Sequence, residues 1–504
     1  MADFHDPYDD ELEPVTLRGT KRRARNLEML EAPTEGDDLN RICALQPMND
    51  FGNAQRLVLR FGDSLMFVEN IGWFAWDGSR WDREGGHSGA LKFSFRIGQE
   101  ITAEAKALRE RPGRVSAERI DRLFSWSVQS GNYGRAQAML SSASSFLSQP
   151  VDALDAHTFL IAAPNGTIEL SSHCELRESR REDRITRCLG VKFSTKASCP
   201  LFKKFLARII PDEEMRDFVQ RIFGYCLTGS TREHKLFLFY GTGRNGKSTL
   251  INIIRSVMGD YAMGAPVATF LAKREGSSGG EASPDLARLP GARMVTTAEP
   301  PEGGRLDESK VKEITGGDSM TVRHLNQGFF EFTPTFKAII ATNHRPTIRG
   351  TDHGIWSRIN LIPFTVQIPE DEIDRDLERK LAEEREGILQ WMLTGAEDWF
   401  SGGLRPPEKA IAAVEAYRAD EDPVGEFLKA RIQLTGDDVD PCTGRRFEVS
   451  AKDLRMRYKT WCEEEGLDAL PTKAFGSRLV ARGLERRKTN GLTWYVGMMF
   501  NARA

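Results

Sequence analysis

The segment KLFLFYGTGRNGKSTLINIIRSVMG (235–259) restricts the possible folds of this chain more than any other. It begins with a wholly apolar run, Leu236 to Tyr240, which is typical of a strand buried in a parallel sheet. A glycine-rich stretch follows, and the segment ends with apolar residues at helical spacing: Leu250, Ile253, Ile254 and Val257. Strand, loop and helix in this order predict a βα unit, and strand and helix signals continue to alternate through residues 235–365. We therefore predict an α/β core over residues 233–370.

The glycine-rich stretch has the pattern GxxxxGK[ST], which is common in loops that bind phosphate groups. Its residues are Gly241, Thr242, Gly243, Arg244, Asn245, Gly246, Lys247, Ser248 and Thr249. The glycines allow backbone N–H groups to turn inward around phosphates, and the helix that follows directs its positive end at them. Lys247 is expected to reach the β- and γ-phosphates, and the Ser248 hydroxyl to hold Mg²⁺. The loop therefore predicts ATP and Mg²⁺ as ligands.

Two further apolar runs end in polar side chains suited to ATP hydrolysis. The run 292–298 is followed by Glu299, and the run 336–342 is followed by Asn343. Hydrolysis requires an acidic group beside the metal and a polar group for the attacking water. Because open α/β sheets bind ligands at the carboxyl ends of their strands, we expect Glu299 and Asn343 to lie near Lys247.

Length and charge leave the remaining architecture open. At 504 residues the chain is too long for one core, and about two to four domains are expected. The net charge of −3 neither supports nor excludes a nucleic-acid partner, because a basic channel would be sufficient to bind one. The charge is unevenly distributed. Residues 1–50 carry 12 acidic and 6 basic side chains, whereas residues 471–504 carry 7 bases against the single acid Glu485.

Sequence patterning divides the chain into six predicted regions. These are a disordered acidic tail (1–45), a mixed α+β N-terminal domain (46–199), a helical collar or linker (200–232), the ATPase core (233–370), a helical segment (371–421) and a basic, winged-helix-like domain (422–504). The tail contains one basic run, Lys21–Arg25, which is interpreted as solvated, with DNA contact as the alternative. The helices at 200–232 suit a collar between subunits and packing within the chain equally well. Hairpins are predicted at Asp77-Gly78 and Asn165-Gly166.

The sequence favours a reduced, cytoplasmic protein with no membrane partner. No apolar run is long enough to span a bilayer, and the acidic N-terminus does not resemble a secretory signal. The seven cysteines form no CxxC pair, which argues against a zinc knuckle or a disulfide framework. His173, Cys174, Cys188 and Cys199 lie near one another in the sequence and are interpreted as ordinary strand and turn residues.

Five segments together resemble the superfamily 3 helicases, specifically the phage and plasmid primase–helicase family, which is also similar to the poxvirus primase–helicase. The segments are GTGRNGKST, GARMVTTAEP, VKEITGGDSMTVRHL, ATNHRPTIRGTD and GIWSRINLIPF. The resemblance implies an AAA+-like P-loop ATPase core in which Glu299 is the Walker B acid and Asn343 is the sensor of the γ-phosphate. It also implies that Arg358 is an arginine finger offered to the ATP of the neighbouring subunit. The likeness covers roughly residues 50–500 and is most specific at 235–365.

The chain departs from the family pattern at two positions near the predicted site. The family often has WRR where this chain has Trp356-Ser357-Arg358, which leaves Arg358 as the natural finger. Ala298 precedes Glu299, so a second Walker B acid is absent there. Ser248 is therefore a candidate for the only direct protein ligand of Mg²⁺.

A hairpin is predicted between Glu299 and Asn343. Residues 319–323 and 329–332 read as two strands, and in superfamily 3 such a hairpin projects into the ring channel and holds the DNA backbone. Lys312, Arg323 and His324 are the candidate DNA contacts. The alternative for Arg323 is a surface ion pair with Asp318 or Glu331.

These inferences predict a homohexameric, ATP-dependent replicative helicase that moves on single-stranded or forked DNA. Family resemblance implies 3′-to-5′ movement, and a separate primase or polymerase is a candidate partner. Because only about 50 residues precede the recognisable region, we expect no primer synthesis. The alternatives are an ATP-gated origin-binding initiator that uses Lys473, Arg478 and Arg482 to recognise duplex DNA, and a packaging or remodelling motor.

Overall fold

The computed structural model describes residues 39–111, 115–272, 284–297, 299–323, 328–350, 352–441 and 444–501. Its first element, helix α1 (Leu39–Ala44), lies inside the stretch predicted as a disordered tail. Cys43 and Ala44 are fully buried, and Arg119 donates to the carbonyl oxygen of Ala44 at 3.0 Å. The predicted boundary at residue 45 is therefore wrong, because a few small buried side chains outweigh the acidic composition around them. The basic run at 21–25 lies outside the described residues.

Residues 50–199 form a helical layer and two small sheets. The helices are α2 (Asp50–Phe61), α3 (Gly86–Glu110), α4 (Ala117–Ser130) and α5 (Tyr133–Ser144). The sheets have the orders β3-β2-β1-β4 and β5-β6-β7. Their strands are β1 (Leu65–Val68), β2 (Gly72–Trp76), β3 (Trp81–Asp82), β4 (Ser148–Gln149), β5 (Leu160–Ala163), β6 (Gly166–Glu169) and β7 (Glu175–Arg177). Both predicted hairpins are present, as β2–β3 and β5–β6.

The centre of the molecule is a five-stranded, wholly parallel sheet of order β14-β8-β13-β10-β9. Its strands are β8 (Leu236–Tyr240), β9 (Ala262–Ala265), β10 (Met294–Thr297), β13 (Lys337–Thr342) and β14 (Ile359–Pro363). Helices α8 (Lys247–Met258), α9 (Pro284–Ala287), α10 (Glu308–Gly316) and α11 (His353–Trp356), with strands β11 (Met320–Arg323) and β12 (Phe329–Phe332), fill the connections. Because β8, β10 and β13 run in the same direction, the residues that follow them meet at one edge of the sheet. The whole is a mixed α/β fold.

The helices predicted as a collar bury their apolar faces within this chain. The predicted collar helices are α6 (Pro200–Ile209) and α7 (Glu213–Leu227). The predicted helical segment at 371–421 contains α12 (Leu377–Glu383), α13 (Arg385–Gly402) and α14 (Glu408–Asp420). Trp391 of α13 contacts the rings of Phe202 and Phe223, with centroids 5.0 and 6.3 Å away. Gly224 allows α7 and α13 to approach closely, since a Cβ there would lie 2.1 Å from the backbone nitrogen of Ala396. These apolar faces therefore pack within the chain, and a collar between subunits stays a prediction.

Two buried cations at the amino ends of β10 and β13 donate hydrogen bonds to segments that precede the sheet in the sequence. Arg293, which is 2% exposed, donates to the carbonyl oxygens of Thr158 at 2.8 Å, His157 at 3.1 Å and Leu160 at 3.2 Å. Lys337, also 2% exposed, donates to the Thr228 carbonyl, and burial lowers its pKa well below the ordinary value. Arg293 therefore joins the central sheet to the segment that enters β5.

We expect Arg293→Met to destabilise the protein by about 3 kcal/mol, because it removes three hydrogen bonds from a buried guanidinium to backbone carbonyl oxygens. The loss corresponds to a decrease of roughly 3 °C in the thermal midpoint of a chain of 504 residues, measured by scanning fluorimetry. The exposed Arg375 is the matched control, and Arg375→Met should leave the midpoint unchanged. An unchanged midpoint for Arg293→Met would mean that these three hydrogen bonds contribute no net stability.

The C-terminal region contains the two helices predicted near 450–465 and 472–483 and the terminal strand, although that strand is divided. The helices are α15 (Pro423–Arg431), α16 (Ala451–Glu464) and α17 (Thr472–Ala481). The strands are β15 (Ile432–Leu434), β16 (Glu448–Ser450), β17 (Glu485–Thr489), β18 (Leu492–Val496) and β19 (Met498–Phe500). Gly497, at φ 77°, separates β18, which pairs with β16 and β17, from β19, which pairs with β15.

Two of the three basic residues on and just after α17 are engaged within the chain. Arg482 forms an ion pair with Asp422, and Arg478 lies 3.5 Å from the same carboxylate. Asp422 also caps α15 by accepting from the backbone nitrogen of Gly425 at 3.1 Å. Lys473 is exposed. The three-cation surface suggested for duplex recognition is therefore not formed, and the initiator alternative loses that support.

The described cysteines are all unpaired. They are Cys43, Cys174, Cys188, Cys199, Cys226 and Cys462, whereas Cys442 lies outside the described residues. Among the residues with a described position, no group of three or more His, Cys, Asp or Glu side chains is arranged to hold a metal ion. Within the same described ranges, no helix combines the length and the apolar character needed to cross a membrane.

Candidate active site

The glycine-rich loop passes directly from the end of β8 into the start of α8, as predicted. Arg244 and Gly246 adopt positive φ values of 56° and 77°, which turn the chain sharply before the helix begins at Lys247. A side chain at position 246 would not fit, because its Cβ would lie 2.6 Å from Cγ2 of Ile209. At Gly243, by contrast, a Cβ would meet no heavy atom within 4 Å. The loop is thus tightly packed on one side and open on the other, beside the N-terminus of a 12-residue helix.

Lys247 directs its ammonium group across the inside of the loop. The side chain is 6% exposed, and Nζ donates to the carbonyl oxygen of Gly241 and, at 3.1 Å, to Oδ1 of Asn343. Burial lowers the pKa of Lys247, and the carboxylate of Glu299 acts in the opposite direction. The loop therefore contains a poorly solvated positive charge close to an open surface.

Glu299 and Asn343 lie against each other at the same edge of the sheet. The backbone nitrogen of Asn343 donates to Oε1 of Glu299 at 2.8 Å, and its side-chain amide donates to Oε2 at 3.0 Å. Lys247, Asn343 and Glu299 consequently form one continuous chain of hydrogen bonds. The sheet order explains this arrangement, because β13, which leads to Asn343, lies between β8 and β10.

The oxygen-bearing side chains of this edge are accessible. Ser248 occupies the first turn of α8 and is exposed, and Glu299 is also exposed. The structure therefore places the predicted ammonium, hydroxyl, carboxylate and amide groups around one open region. The hydroxyl and the carboxylate are ligand types that Mg²⁺ prefers.

Arg358 lies at the opposite end of the sheet. It immediately precedes β14, and its carbonyl oxygen accepts from the backbone nitrogen of Leu236, the first residue of β8, at 2.8 Å. The five residues of β8 separate the backbone of Arg358 from the glycine-rich loop by roughly 15–20 Å. The Arg358 guanidinium donates to Oγ1 of Thr315 at 3.0 Å and to the carbonyl oxygen of Gly354 at 2.7 Å. Arg358 is therefore not brought to the loop of its own chain.

The predicted hairpin is present as the antiparallel pair β11–β12. Arg323 pairs with Phe329 across the strands, and its guanidinium lies 4.8 Å from the centroid of the Phe329 ring. His324, together with residues 325–327 of the tip, lies outside the described residues. Arg323 thus occupies the last described position before the tip.

Lys312 does not belong to the hairpin surface. Its ammonium forms an ion pair with Asp352 at 3.1 Å, and Asp352 also caps α11 by accepting from the backbone nitrogen of Ile355 at 3.3 Å. The charge of Lys312 is thus directed at the segment that carries Arg358, and its assignment as a DNA contact stays a prediction. Thr315, the partner of Arg358, was not a sequence candidate. A separation of 43 residues leaves no pattern by which sequence reasoning could have found that contact.

Two family comparisons match separate parts of the chain. The family described as "D5 N terminal like" matches residues 54–211. A second family, described as a family of unknown function (DUF5906), matches residues 239–358. The second match spans the glycine-rich loop, Glu299, Asn343 and Arg358.

Similar proteins occur in large DNA viruses. The putative helicase L207/L206 of Acanthamoeba polyphaga mimivirus is 27% identical over 329 residues, which cover 61% of this chain and 33% of that protein. The putative helicase 022R of Frog virus 3 is 27% identical over 257 residues, covering 47% and 26% respectively. The putative primase C962R of African swine fever virus is 25% identical over 305 residues, covering 56% and 32%.

A solved structure, the apo form of the NrS-1 C-terminal region, aligns with 61% of this chain and 78% of its own length at 15% identity and a TM-score of 0.40. The curated relatives are much longer than their matched parts, which amount to about a third of their length or less. At this modest identity, the chain is similar to putative helicases and putative primases of large DNA viruses, with a family match of the D5 N-terminal type.

Proposed function

We propose that this protein is an ATP-dependent replicative DNA helicase of superfamily 3, which hydrolyses ATP at the loop Gly241–Thr249. The observation that carries the proposal is the hydrogen-bonded chain Lys247–Asn343–Glu299 at the carboxyl edge of a parallel sheet. A cation, an amide and a carboxylate at this edge are the groups that hydrolysis of a nucleoside triphosphate requires. The names of the viral relatives support DNA replication as the setting.

The residues at this edge suit a triphosphate and a divalent cation. The open side of the loop at Gly243, the N-terminus of α8 and the buried ammonium of Lys247 together favour an anion. The exposed Ser248 hydroxyl would hold Mg²⁺, and Glu299 lies exposed at the same edge of the sheet. When bound, Mg²⁺ would neutralise the charge that develops on the β- and γ-phosphates.

The protein side chains have distinct parts in the proposed reaction. Lys247 exchanges its contacts with Gly241 and Asn343 for the β- and γ-phosphates. Glu299 accepts a hydrogen bond from the attacking water and polarises it. Asn343 holds both carboxylate oxygens of Glu299 in place and is the group positioned to report the γ-phosphate. Each role requires only that a side chain change a hydrogen-bond partner within the site.

A second subunit completes the site in this proposal. Because Arg358 lies roughly 15–20 Å from the loop of its own chain, a guanidinium contact with the γ-phosphate has to come from a neighbour. The arrangement repeats around a homohexameric ring that encloses single-stranded DNA, including the single-stranded arm of a fork. The β11–β12 hairpin would then follow the DNA backbone in the channel, and 3′-to-5′ movement is the direction implied by the superfamily. A separate primase or polymerase is the proposed replication partner.

A strand-displacement assay on 3′-tailed and 5′-tailed forks, combined with native mass measurement in the presence of ATP, tests the proposal. We expect displacement of the 3′-tailed fork, no displacement with a non-hydrolysable ATP analogue, and the mass of a hexamer. ATP hydrolysis without displacement of either fork would contradict the helicase assignment. It would favour an ATP-driven remodelling protein instead.

Arg323→Ala is expected to weaken single-stranded DNA binding by roughly 10-fold or more, because it removes a charge-assisted contact with phosphate. DNA-stimulated ATP turnover should fall accordingly, whereas turnover without DNA should remain at the parental level. Binding is measured by fluorescence anisotropy over a salt series, and the salt dependence should become shallower. Lys473→Ala, which removes an exposed charge from α17, is the matched control. Undiminished DNA stimulation in Arg323→Ala would remove the hairpin from the mechanism.

A further inference from the structure

One face of helix α10 holds the segment that carries Arg358. Oε1 of Glu308 accepts from the backbone nitrogen of Gly350 at 2.8 Å. Lys312 pairs with Asp352 at 3.1 Å. Positions 308, 312 and 315 are spaced i, i+4 and i+7 and lie in one stripe along a helix, so the contact of Thr315 with Arg358 belongs to the same face. Helix α10 therefore contacts the segment from Gly350 to Arg358 at several points along its length.

The hydroxyl of Thr315 has a fixed direction. Thr315 is 5% exposed, and its Oγ1 donates its proton to the carbonyl oxygen of Val311 at 2.7 Å. A hydroxyl has a single proton, so the lone pairs of Oγ1 are the part that Arg358 Nε can contact. Nη1 of Arg358 is held by Gly354. Within the described part of the chain, these two contacts use two of the five N–H groups of the Arg358 guanidinium. The remaining N–H groups can donate to an acceptor on another subunit.

Thr315 also connects Arg358 to the central sheet and to the hairpin. Nδ1 of His234, just before β8, donates to the Thr315 carbonyl oxygen at 2.7 Å. Helix α10 ends at Gly316, the next residue Gly317 has φ 82°, and β11 starts at Met320. Met320 is buried in the same core cluster as Ile314. The base of the hairpin thus lies within a few residues of Thr315 and shares a core cluster with the helix that carries it.

We propose that Thr315 is a positioning residue, which orients the Arg358 guanidinium toward the neighbouring subunit's ATP and makes that orientation depend on the hairpin through helix α10. The proposal rests on the proposed function, because it concerns a finger that acts in trans. Arg358 contacts the nucleotide, and Thr315 acts through Arg358.

Thr315→Val tests the proposal, since it keeps the shape of the side chain and removes the hydroxyl. In assembled rings we expect the kcat of ATP hydrolysis to fall about 10- to 100-fold, as misplacement of a catalytic group by about 1 Å can do. The KM for ATP should stay within about threefold of the parental value, because the finger contact is made in the transition state. Thr315→Ser, which keeps the hydroxyl, should restore kcat to near the parental value.

A matched control is available on another helix. Thr394 donates its hydroxyl proton to the carbonyl oxygen four residues earlier, as Thr315 does, but it is exposed on α13. Thr394→Val should leave kcat unchanged. Thermal midpoints of all variants separate loss of fold from loss of orientation.

Combining Thr315→Val with Arg358→Ala distinguishes positioning from a purely structural role. If Thr315 acts through Arg358, the double variant should hydrolyse ATP no more slowly than Arg358→Ala alone. A further loss in the double variant, or a parental kcat in Thr315→Val, would overturn the inference. A parent protein without ATP hydrolysis would instead contradict the proposed function, so the two failures can be told apart.

Discussion

Arg358→Ala is expected to lower ATP turnover about 10³- to 10⁵-fold while leaving ATP binding nearly intact, because an arginine finger acts on the transition state. The structure places the backbone of Arg358 at the far end of β8, roughly 15–20 Å from the loop of its own chain. Steady-state hydrolysis and titration with a fluorescent nucleotide measure the two effects separately. Arg375→Ala, at an exposed position on another part of the surface, should behave as the parent.

Mixed rings provide the sharper form of this experiment. Arg358→Ala subunits keep Lys247, and Lys247→Ala subunits keep Arg358, so a mixture can form complete sites at some interfaces. We expect the mixture to hydrolyse ATP although neither variant does so alone. If the mixture stays inactive while its subunits assemble, Arg358 does not act across an interface.

Lys247→Ala is expected to lower ATP turnover about 10³-fold, an effect comparable to removal of one preorganised donor from a developing negative charge. Nucleotide affinity should also fall by roughly 10-fold or more, because a charge-assisted contact to phosphate is lost. Lys204→Ala, at an exposed lysine of α6, is the control for the change in charge. A Lys247→Ala protein that hydrolysed ATP at the parental rate would disprove the assignment of the loop.

Local patterns were sufficient to place the main groups of the candidate site. The apolar run before Gly241 is typical of a buried strand, and the glycine loop and the helical pattern after it predicted a βα unit, which is present. In a parallel sheet the carboxyl ends of the strands share one edge, and this rule alone predicted that Glu299 and Asn343 would approach Lys247. Asn343 contacts both Lys247 and Glu299 in the structure.

Contacts between distant segments could not be predicted in the same way. Lys312 was read as a DNA contact because it is basic and precedes a hairpin, but its partner Asp352 lies 40 residues farther along the chain. The positive charge of the C-terminal region was counted without its partner, although Asp422 neutralises part of it from 56 to 60 residues away. Net charge over a window reports composition, whereas the availability of a charge depends on tertiary pairing.

The position of β13 in the sheet has a consequence for the tolerance of the site. This strand is held in register by β8 on one side and β10 on the other, and Asn343 extends from its end. A slip of one residue would move Asn343 by about 3.3 Å and break its contacts with Lys247 and Glu299 together. The spacing of these groups is thus set by two ladders of backbone hydrogen bonds, which do not depend on side-chain identity. Surrounding regions can consequently diverge widely in sequence, or acquire new partners, without changing the spacing of Lys247, Asn343 and Glu299.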